Sequence, residues 1–367
     1  WITSPSRGGG VVMVPMGPDR WGPDSEEWVV HLQYMAGDPR ALSDQEVLEE
    51  MRSSLGIGDH PVEVHKISRW TLDAVLADRF RQGRVFLVGD AAHKHPPTGG
   101  LGLTSAIHDV HNLCWKLAAV LEGKAGDELL DSYEAERRPV DSRNVQRSLE
   151  NAVNHLQTIA TIGVSHENSE SANRAALKRL WSDDPADRDL QEAVARSARS
   201  QSMEFNELNV EFGYTYESSA VVPDGSPPES NPDDVRIYLP STRPGSQLPH
   251  VWLQDREERL FPIKDLVRPG EFLLIAGEEG LDWCEAAEQL AEEDGMPIRA
   301  LRIGHVDGDF FDPRCAWLRL RGIGADGAVV VRPDRFIAWR SRTSVASPKR
   351  ELNGALASIL ARDGVHA

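Results

Sequence analysis

The sequence lacks features that are typical of several common classes of protein. Its 367 residues contain three cysteines, Cys114, Cys284 and Cys315, and no CxxC pair. Three scattered cysteines are too few for a disulfide framework, and their spacing favours neither a zinc site nor dithiol redox chemistry. A reducing, cytoplasmic location fits this cysteine usage best.

An excess of positive charge and a long apolar run are also missing. The chain has 40 Lys and Arg against 58 Asp and Glu, a formal net charge of −18. Nucleic acids and anionic membrane surfaces are polyanions, so neither is expected as a partner. No apolar run approaches the roughly 18 residues of a membrane span, and the start, WITSPSRGGG, lacks the pattern of a signal peptide.

The first part of the chain has the composition of short strands and a capped helix. Residues 11–14, 28–35 and 62–70 are rich in β-branched and aromatic side chains, which predicts three strands. Residues 84–88 predict a fourth strand, short and buried. Between them, Ser-Asp-Gln-Glu at 43–46 resembles a capping box, which predicts a helix ending near a glycine at position 56.

A strongly periodic stretch follows. Apolar residues recur in steps of four and three, which predicts one buried face of a helix that begins near Leu103 and ends at Gly123; the residues of this face are Ile107, Val110, Cys114, Leu117 and Leu121. A second helix is expected from about Asp127, with Pro139 kinking or dividing it.

The last third of the chain alternates between strand and helix patterns. Residues 218–250 are rich in Pro, Ser, Gly and Asp, which indicates a linker or irregular crossing. The pattern beyond it predicts a small α/β domain with a mixed sheet. Its predicted elements are a strand at 272–276, a helix at 283–293, a strand at 298–303, a hairpin at 329–331 and 336–339, and a helix at 349–361.

One segment, residues 83–121, has the arrangement of a ligand site. It runs from a strand through a loop with three glycines into the periodic helix. Backbone N–H groups at a helix N-terminus attract anions and electron-rich oxygens, and Gly99, Gly100 and Gly102 would let a planar ligand lie on the backbone. Asp90, after the strand, could accept hydrogen bonds from a chain of hydroxyls. The alternative is that Asp90 caps an ordinary turn.

Together these residues resemble a known family. Residues 83–102 are similar to the second flavin-binding motif of the class A FAD-dependent monooxygenases, the group of p-hydroxybenzoate hydroxylase. Residues 107–117 and 131–139 resemble more specifically the phenol and 2,4-dichlorophenol hydroxylase branch, and residues 243–250 and 324–333 also fit that branch.

The resemblance implies a fold and a division into domains. The expected fold is α/β: part of a p-hydroxybenzoate hydroxylase-like FAD and substrate fold, followed by a thioredoxin-like domain without redox cysteines. The implied domains are part of an α+β substrate-binding domain (1–75), the C-terminal part of the FAD-binding domain (76–150), a helical segment and linker (151–235) and the thioredoxin-like domain (236–367).

It also implies roles for single residues. Asp90 would hold the ribityl chain of FAD, and the backbone of Gly100, Leu101 and Gly102 would contact the pyrimidine edge of the flavin ring. Pro97 would lie where flavin meets substrate and is the one candidate for a catalytic role. The remaining implied cofactor-binding residues are Gly99, Leu103 and Thr104, the last standing where many relatives have Asn.

The implied activity is hydroxylation of a small phenolic or other aromatic substrate, using FAD, NAD(P)H and O₂. The family's opening strand–GxGxxG–helix segment with a ribose-binding acid is not found, because Gly8, Gly9 and Gly10 precede a strand. The expected partner is therefore a missing N-terminal FAD-binding segment, and the chain is interpreted as a piece of a longer enzyme.

Two alternatives stay open from the sequence. The first is an enzyme that tailors aromatic polyketides, and the second is a non-catalytic binding or dimerisation module; a homodimer is compatible with each. A metal site is not expected. His93 and His95 have no carboxylate or cysteine at ligand spacing, and His108 and His111 are typical of packing or surface histidines.

Overall fold

The computed structural model describes residues 2–34 and 42–362. Their strands are β1 (Ile2–Ser4), β2 (Gly9–Gly17), β3 (Glu27–Leu32), β4 (Val75–Leu76), β5 (Arg81–Gln82), β6 (Val85–Phe86), β7 (His93–Lys94), β8 (Trp252–Gln254), β9 (Leu260–Pro262), β10 (Phe272–Ala276), β11 (Ile298–Gly304), β12 (Phe310–Phe311), β13 (Ala328–Val331) and β14 (Ile337–Ser341). Their α-helices are α1 (Asp44–Leu55), α2 (Leu101–Leu121), α3 (Asp131–Ile162), α4 (Glu170–Lys178), α5 (Arg188–Ser200), α6 (Leu208–Phe212), α7 (Leu281–Asp294), α8 (Ala316–Leu320) and α9 (Pro348–Ile359).

The chain divides into two compact units. Unit 1 comprises residues 1–72 and 150–204, and unit 2 comprises residues 73–149 and 205–367. In the described parts of both units, no helix combines the length and apolarity that crossing a membrane would need.

Unit 1 contains an antiparallel sheet in the order β1-β2-β3, together with α1. The capping box is confirmed: the Glu46 amide donates to Ser43 Oγ at 3.3 Å, and the Ser43 amide donates to the Glu46 carboxylate at 2.7 Å. The helix ends at Gly56, whose φ of 66° is the left-handed cap that glycine adopts readily. The strands expected at 11–14 and 28–35 correspond to β2 and β3, with Met35 outside the described residues.

Two of the predicted strands are wrong in part or in whole. Residues 62–70 form no strand, and Val62, Val64 and Trp70 are exposed. β-branched residues favour strands because they pack on a sheet, and here these side chains stay in solvent. Of residues 84–88, only β6 is a strand; it pairs with β5, and its Val85 is exposed, so the expected burial is also wrong.

The α/β pattern expected for the last third of the chain is confirmed in unit 2. A seven-stranded sheet has the order β14-β13-β10-β11-β12-β8-β9, with β10 parallel to β11 and antiparallel to β13. β10 is fully buried, because one hydrophobic cluster that includes Trp283 of α7 and Leu356 of α9 covers one face and a second cluster that includes Trp317 covers the other. The letters GxGxxG do occur at 322–327, but this segment leads into β13 and opens no helix.

The two long helices predicted near residues 103–123 and from about Asp127 both exist as α2 and α3, and α3 continues through Pro139 without a break. The predicted buried face of α2 is wrong, however. Five of its apolar residues form an exposed apolar stripe and Leu117 is half-buried, whereas a polar face is buried together with Leu101, Leu113 and Trp115. The exposed apolar stripe consists of Leu103, Ile107, Val110, Cys114 and Leu121, and the buried polar face of Ser105, Asp109, Asn112 and Lys116.

Truncation of the central strand tests this description of the core. Leu274 in β10 is completely buried, so Leu274→Ala should lower the free energy of unfolding by about 2–5 kcal/mol, because a cavity remains beside the lost contacts. Leu260→Ala in β9 is the matched control, since that side chain is exposed, and should change it by less than about 1 kcal/mol. Chemical denaturation measures both; equal effects would contradict the assigned core.

Candidate functional site

The segment predicted to form the site begins with a tight turn that is tied to α2. Gly89 opens a 3₁₀ turn with φ at 58°, and its amide donates to the Asp109 carboxylate at 3.0 Å. A Cβ at Gly89 would lie only 3.1 Å from the methyl of Ala106, so glycine permits the turn to approach the helix this closely. The next residue, Asp90, is therefore held at a fixed place.

The carboxylate of Asp90 is available to a ligand. The residue is exposed, and within the part of the chain that the structure describes, no group hydrogen-bonds to its side chain. A turn-capping Asp would show such a bond to a nearby amide, so the alternative role as a turn cap has no support among these residues.

The glycine loop leads into a helix start that no side chain in the described part of the chain caps. Gly99 and Gly100 have φ of 85° and 66°, and Gly100 is the N-cap of α2. A Cβ at Gly100 would meet nothing within 4 Å, so there is open space directly in front of the backbone. The first turn of α2 contains no acidic residue, so no side chain of the described residues in that turn or at the cap neutralises the positive end of the helix dipole.

The other predicted site residues lie around this helix start. Pro97 and Leu103 are exposed, Gly102 is half-buried, and Leu101 turns its side chain into the interior. Thr104 is exposed, but its hydroxyl donates to the Leu101 carbonyl at 3.0 Å. The hydroxyl is thus already used within the helix, and only its remaining lone pairs and the backbone face outward.

Sequence reasoning missed a buried cluster directly behind this loop. His93 Nε2 lies 2.9 Å from Asp109 Oδ2, and Arg137 donates through Nε to Asp109 and through Nη2 to Asp141, each at 2.8 Å. All four side chains are buried. The expectation that no carboxylate accompanies His93 is wrong, because α2 and α3 supply two. Arg137 is the cation that joins them.

A metal ion would compete with that arginine. Donor atoms of His93, Asp109 and Asp141 lie within 4.8 Å of one another, close enough to hold an ion. The Arg137 guanidinium already bonds both carboxylates, so it supplies the positive charge that a metal would bring. We therefore interpret the cluster as an ion network.

The network lowers the pKa of Asp109 and raises the pKa values of Asp141 and His93. Burial opposes ionisation of Asp109, but the hydrogen bond from His93 and the charge of Arg137 outweigh it and lower the pKa of Asp109 to about 2. Burial raises the pKa of Asp141 to about 7 despite Arg137. Burial also disfavours the charged form of His93, yet Asp109 and Asp141 raise the His93 pKa above its usual value.

A second buried network joins α2 and α3 to the sheet. Glu136 accepts from Lys116 Nζ at 2.7 Å, from Arg332 Nη2 at 2.8 Å and from Asn112 Nδ2 at 2.7 Å. Arg332 also donates through Nε to Asp334 at 2.9 Å. Although burial opposes it, the charges of Arg332 and Lys116 lower the pKa of Glu136, so it stays ionised. A signal for both networks was present in the sequence: Ser105, Asp109, Asn112 and Lys116 have the same helical spacing as the apolar residues.

Comparison with known proteins finds similarity to the same family that the sequence motifs resemble. Residues 1–148 match a family described as FAD binding domain, and residues 241–362 match one described as aromatic-ring hydroxylase, C-terminal. Phenol 2-monooxygenase of Pseudomonas sp. (strain EST1001) is 36% identical over 333 residues, which cover 89% of this chain and 54% of that protein. 2,4-Dichlorophenol 6-monooxygenase of Delftia acidovorans is 34% identical over 368 residues, which cover 98% and 61%.

A solved structure is similar over nearly the whole chain. The crystal structure of the flavin-dependent monooxygenase PieE, in complex with FAD and substrate, matches with a TM-score of 0.85 at 34% sequence identity. The match covers 98% of this chain and 60% of that one. This chain thus spans a little over half to about three fifths of the length of the proteins that it matches.

The second network gives a test of how the site is supported. In Glu136→Gln, Lys116 loses its buried counter-ion and Arg332 keeps only Asp334, so the free energy of unfolding should fall by about 3–5 kcal/mol. Glu122→Gln, at the exposed end of α2, removes a solvated ion pair with Lys124 and should have almost no effect. Urea unfolding distinguishes the two; a neutral Glu136→Gln would show that the network does not stabilise unit 2.

Proposed function

We propose that the chain belongs to the class A FAD-dependent aromatic hydroxylases and forms the part of such an enzyme that receives the flavin ring and covers an aromatic substrate. The reaction proposed is hydroxylation of a phenolic ring with FAD, NAD(P)H and O₂. The observation that carries this proposal is the glycine loop between Asp90, whose exposed carboxylate is unpaired among the described residues, and the start of α2, which none of those residues caps with a side chain.

The residues present fit one half of FAD. Asp90 would accept hydrogen bonds from the ribityl hydroxyls, because its carboxylate is exposed and unpaired among the described residues. The backbone from Gly100 to Gly102 would donate to the pyrimidine edge of the ring. The helix dipole behind these amides would stabilise negative charge on a reduced flavin. Gly99, Leu103 and Thr104 complete the proposed contact surface.

When bound and reduced by NAD(P)H, FAD supplies the activation of O₂ for this family's chemistry. The chain's own residues bind, orient and exclude water. Pro97 is exposed on a stiff loop between Asp90 and the helix, so we assign it to the place where ring and substrate meet. Its role there would be steric, since proline has no N–H to donate and no titratable group.

The exposed apolar stripe of α2 supports the proposed partner. Five apolar side chains in a row along a helix are typical of a face that another element covers. We propose that an N-terminal FAD-binding segment, absent from these 367 residues, packs on the stripe and supplies the adenosine half of the flavin site. The matched proteins are longer than this chain, which agrees with such a segment.

The domain roles are part of the same proposal. Residues 1–75 would belong to the substrate-binding domain, 76–150 to the FAD-binding domain and 151–235 to a helical segment and linker. Residues 236–367 would form a thioredoxin-like domain, a reading supported by the β10-α7-β11 crossover followed by the β13–β14 hairpin and α9. That domain would have no redox role, since it contains no CxxC pair. A cytoplasmic location is proposed from the cysteine usage alone.

Flavin binding tests the site directly. We expect Asp90→Ala to weaken FAD binding about tenfold or more, because charge-assisted hydrogen bonds contribute about 1.5–3 kcal/mol. Quenching of flavin fluorescence on titration with the protein measures it. Asp183→Ala, another exposed Asp with no role in the proposed site, should bind FAD as the unsubstituted chain does. Equal affinities in the two variants would remove Asp90 from the site.

Turnover tests the reaction. A protein that includes the proposed N-terminal segment should consume NAD(P)H and O₂ and convert phenol to catechol; a larger aromatic polyketide as second substrate tests the tailoring alternative. Catechol detected by chromatography supports the proposal. A colourless protein that neither retains FAD nor consumes NAD(P)H would instead identify a binding or dimerisation module.

A further inference from the structure

Two histidines connect the buried cluster to the glycine loop. His95 Nε2 lies 2.9 Å from His93 Nδ1, and His93 Nε2 lies 2.9 Å from Asp109 Oδ2. The two imidazole rings meet edge to face, with their centroids 4.8 Å apart. His95 directly precedes Pro96 and Pro97, and its Cβ would be 3.7 Å from a Cβ placed on Gly102. The pair therefore connects Asp109 with both ends of the proposed flavin loop, at Pro96 and at Gly102.

The remaining nitrogen of His95 has an unusual position. Nδ1 is buried and has no hydrogen-bond partner among the described residues. The backbone carbonyl of Asn144 on α3 favours a proton on the His95 ring. Because Nε2 is engaged by His93, the nitrogen on which this carbonyl acts is assigned as Nδ1. A proton on Nδ1 would attract the carbonyl, whereas a bare lone pair would repel it.

The hydrogen bonds of the histidine pair determine whether His95 Nδ1 carries a proton or a bare lone pair. Asp109 is an acceptor, so His93 Nε2 carries a proton. If His93 is charged, its Nδ1 also carries a proton and donates to His95 Nε2, which leaves the single proton of neutral His95 on Nδ1. If His93 is neutral, His95 must donate through Nε2, and its Nδ1 is bare.

We propose that His93 and His95 are a positioning pair for the loop at 96–102: charged His93 makes His95 attract the Asn144 carbonyl and hold the loop, and neutral His93 reverses this contact. The proposal rests on the proposed function, because it assigns the loop to the flavin. It predicts that the loop binds its ligand best while His93 carries a proton.

The charges around the pair support this order of protonation. His93 faces Asp109 of α2 and both Asp141 and Arg137 of α3, and the two carboxylates raise its pKa above the usual value although burial and Arg137 oppose them. Burial, followed by the charge of His93, lowers the pKa of His95 to about 4 despite Asp109 and Asp90. His95 is thus neutral near pH 7.

The direction of the pH effect follows from the raised pKa. A group whose pKa is raised on folding stabilises the native state below its unfolded value, about 6.5 for His, and this stabilisation disappears as pH rises through the folded pKa. The hold on the loop should disappear over the same interval. Ligand affinity should then fall by up to about tenfold for each pH unit above the His93 pKa.

Nitrogen NMR of the histidine rings tests the pair without any ligand. In the 367-residue chain at pH 6, His93 should be protonated on both nitrogens and His95 on Nδ1; above the His93 pKa the His95 proton should move to Nε2. The amide resonances of Gly100 and Leu101 should follow the same transition. In His95→Gln this transition of the amides should vanish, whereas the matched control His60→Gln, at an exposed histidine of unit 1, should retain it.

The outcomes separate this proposal from the flavin assignment. A His95 that keeps its proton on Nε2 from pH 6 to pH 9, or loop amides that titrate alike in His95→Gln, would overturn the pair. FAD affinity that does not change across this range in the unsubstituted chain would overturn its positioning role. If the loop titrates as expected but FAD binds at no pH, the flavin site fails and the pair stands.

Discussion

The carboxylate of Asp109 is the contact on which the arrangement of the candidate site depends. It accepts the Gly89 amide, His93 Nε2 and Arg137 Nε, so one buried group fixes the turn before Asp90, the strand before the glycine loop and the neighbouring helix α3. A buried carboxylate is costly unless such bonds compensate for lost hydration. Here three donors do so, which keeps the charge in place and the loop geometry with it.

That arrangement also explains the orientation of α2. A helix with apolar and polar faces normally buries the apolar one, because removing apolar surface from water is favourable. In α2 two ion networks, centred on Asp109 and Glu136, share the buried side of the helix with Leu101, Leu113 and Trp115, and the apolar stripe stays outside. The stripe leaves apolar surface in water, and this cost would be removed if another element covered it. The proposed flavin site and the proposed missing segment thus follow from the same helix.

Local signals in the sequence predicted local structure well. The Ser43 capping box, the Gly56 stop and the extent of α2 depend on contacts within a few residues, and each is present. Residues 62–70 had strand composition but found no sheet partner, and their neighbours in sequence could not reveal that. The network around His93 was missed for a related reason: its carboxylates lie 16 and 48 positions away and reach it only after α2 and α3 fold against the loop. The family resemblance identified the glycine loop. The buried network that supports this loop could be identified only from the three-dimensional structure.

The orientation of α2 is the central claim, and the three cysteines allow a direct measurement of it. Cys114 lies on the exposed apolar stripe, Cys284 is buried in α7, and Cys315 is intermediate. Under native conditions, brief alkylation of the 367-residue chain followed by mass spectrometry should modify Cys114 almost completely while Cys284 stays unmodified. If Cys114 is protected from alkylation to the same extent as Cys284, then α2 buries the apolar stripe. The assignment of the Asp109 and Glu136 networks as the buried support of the candidate site would then be wrong.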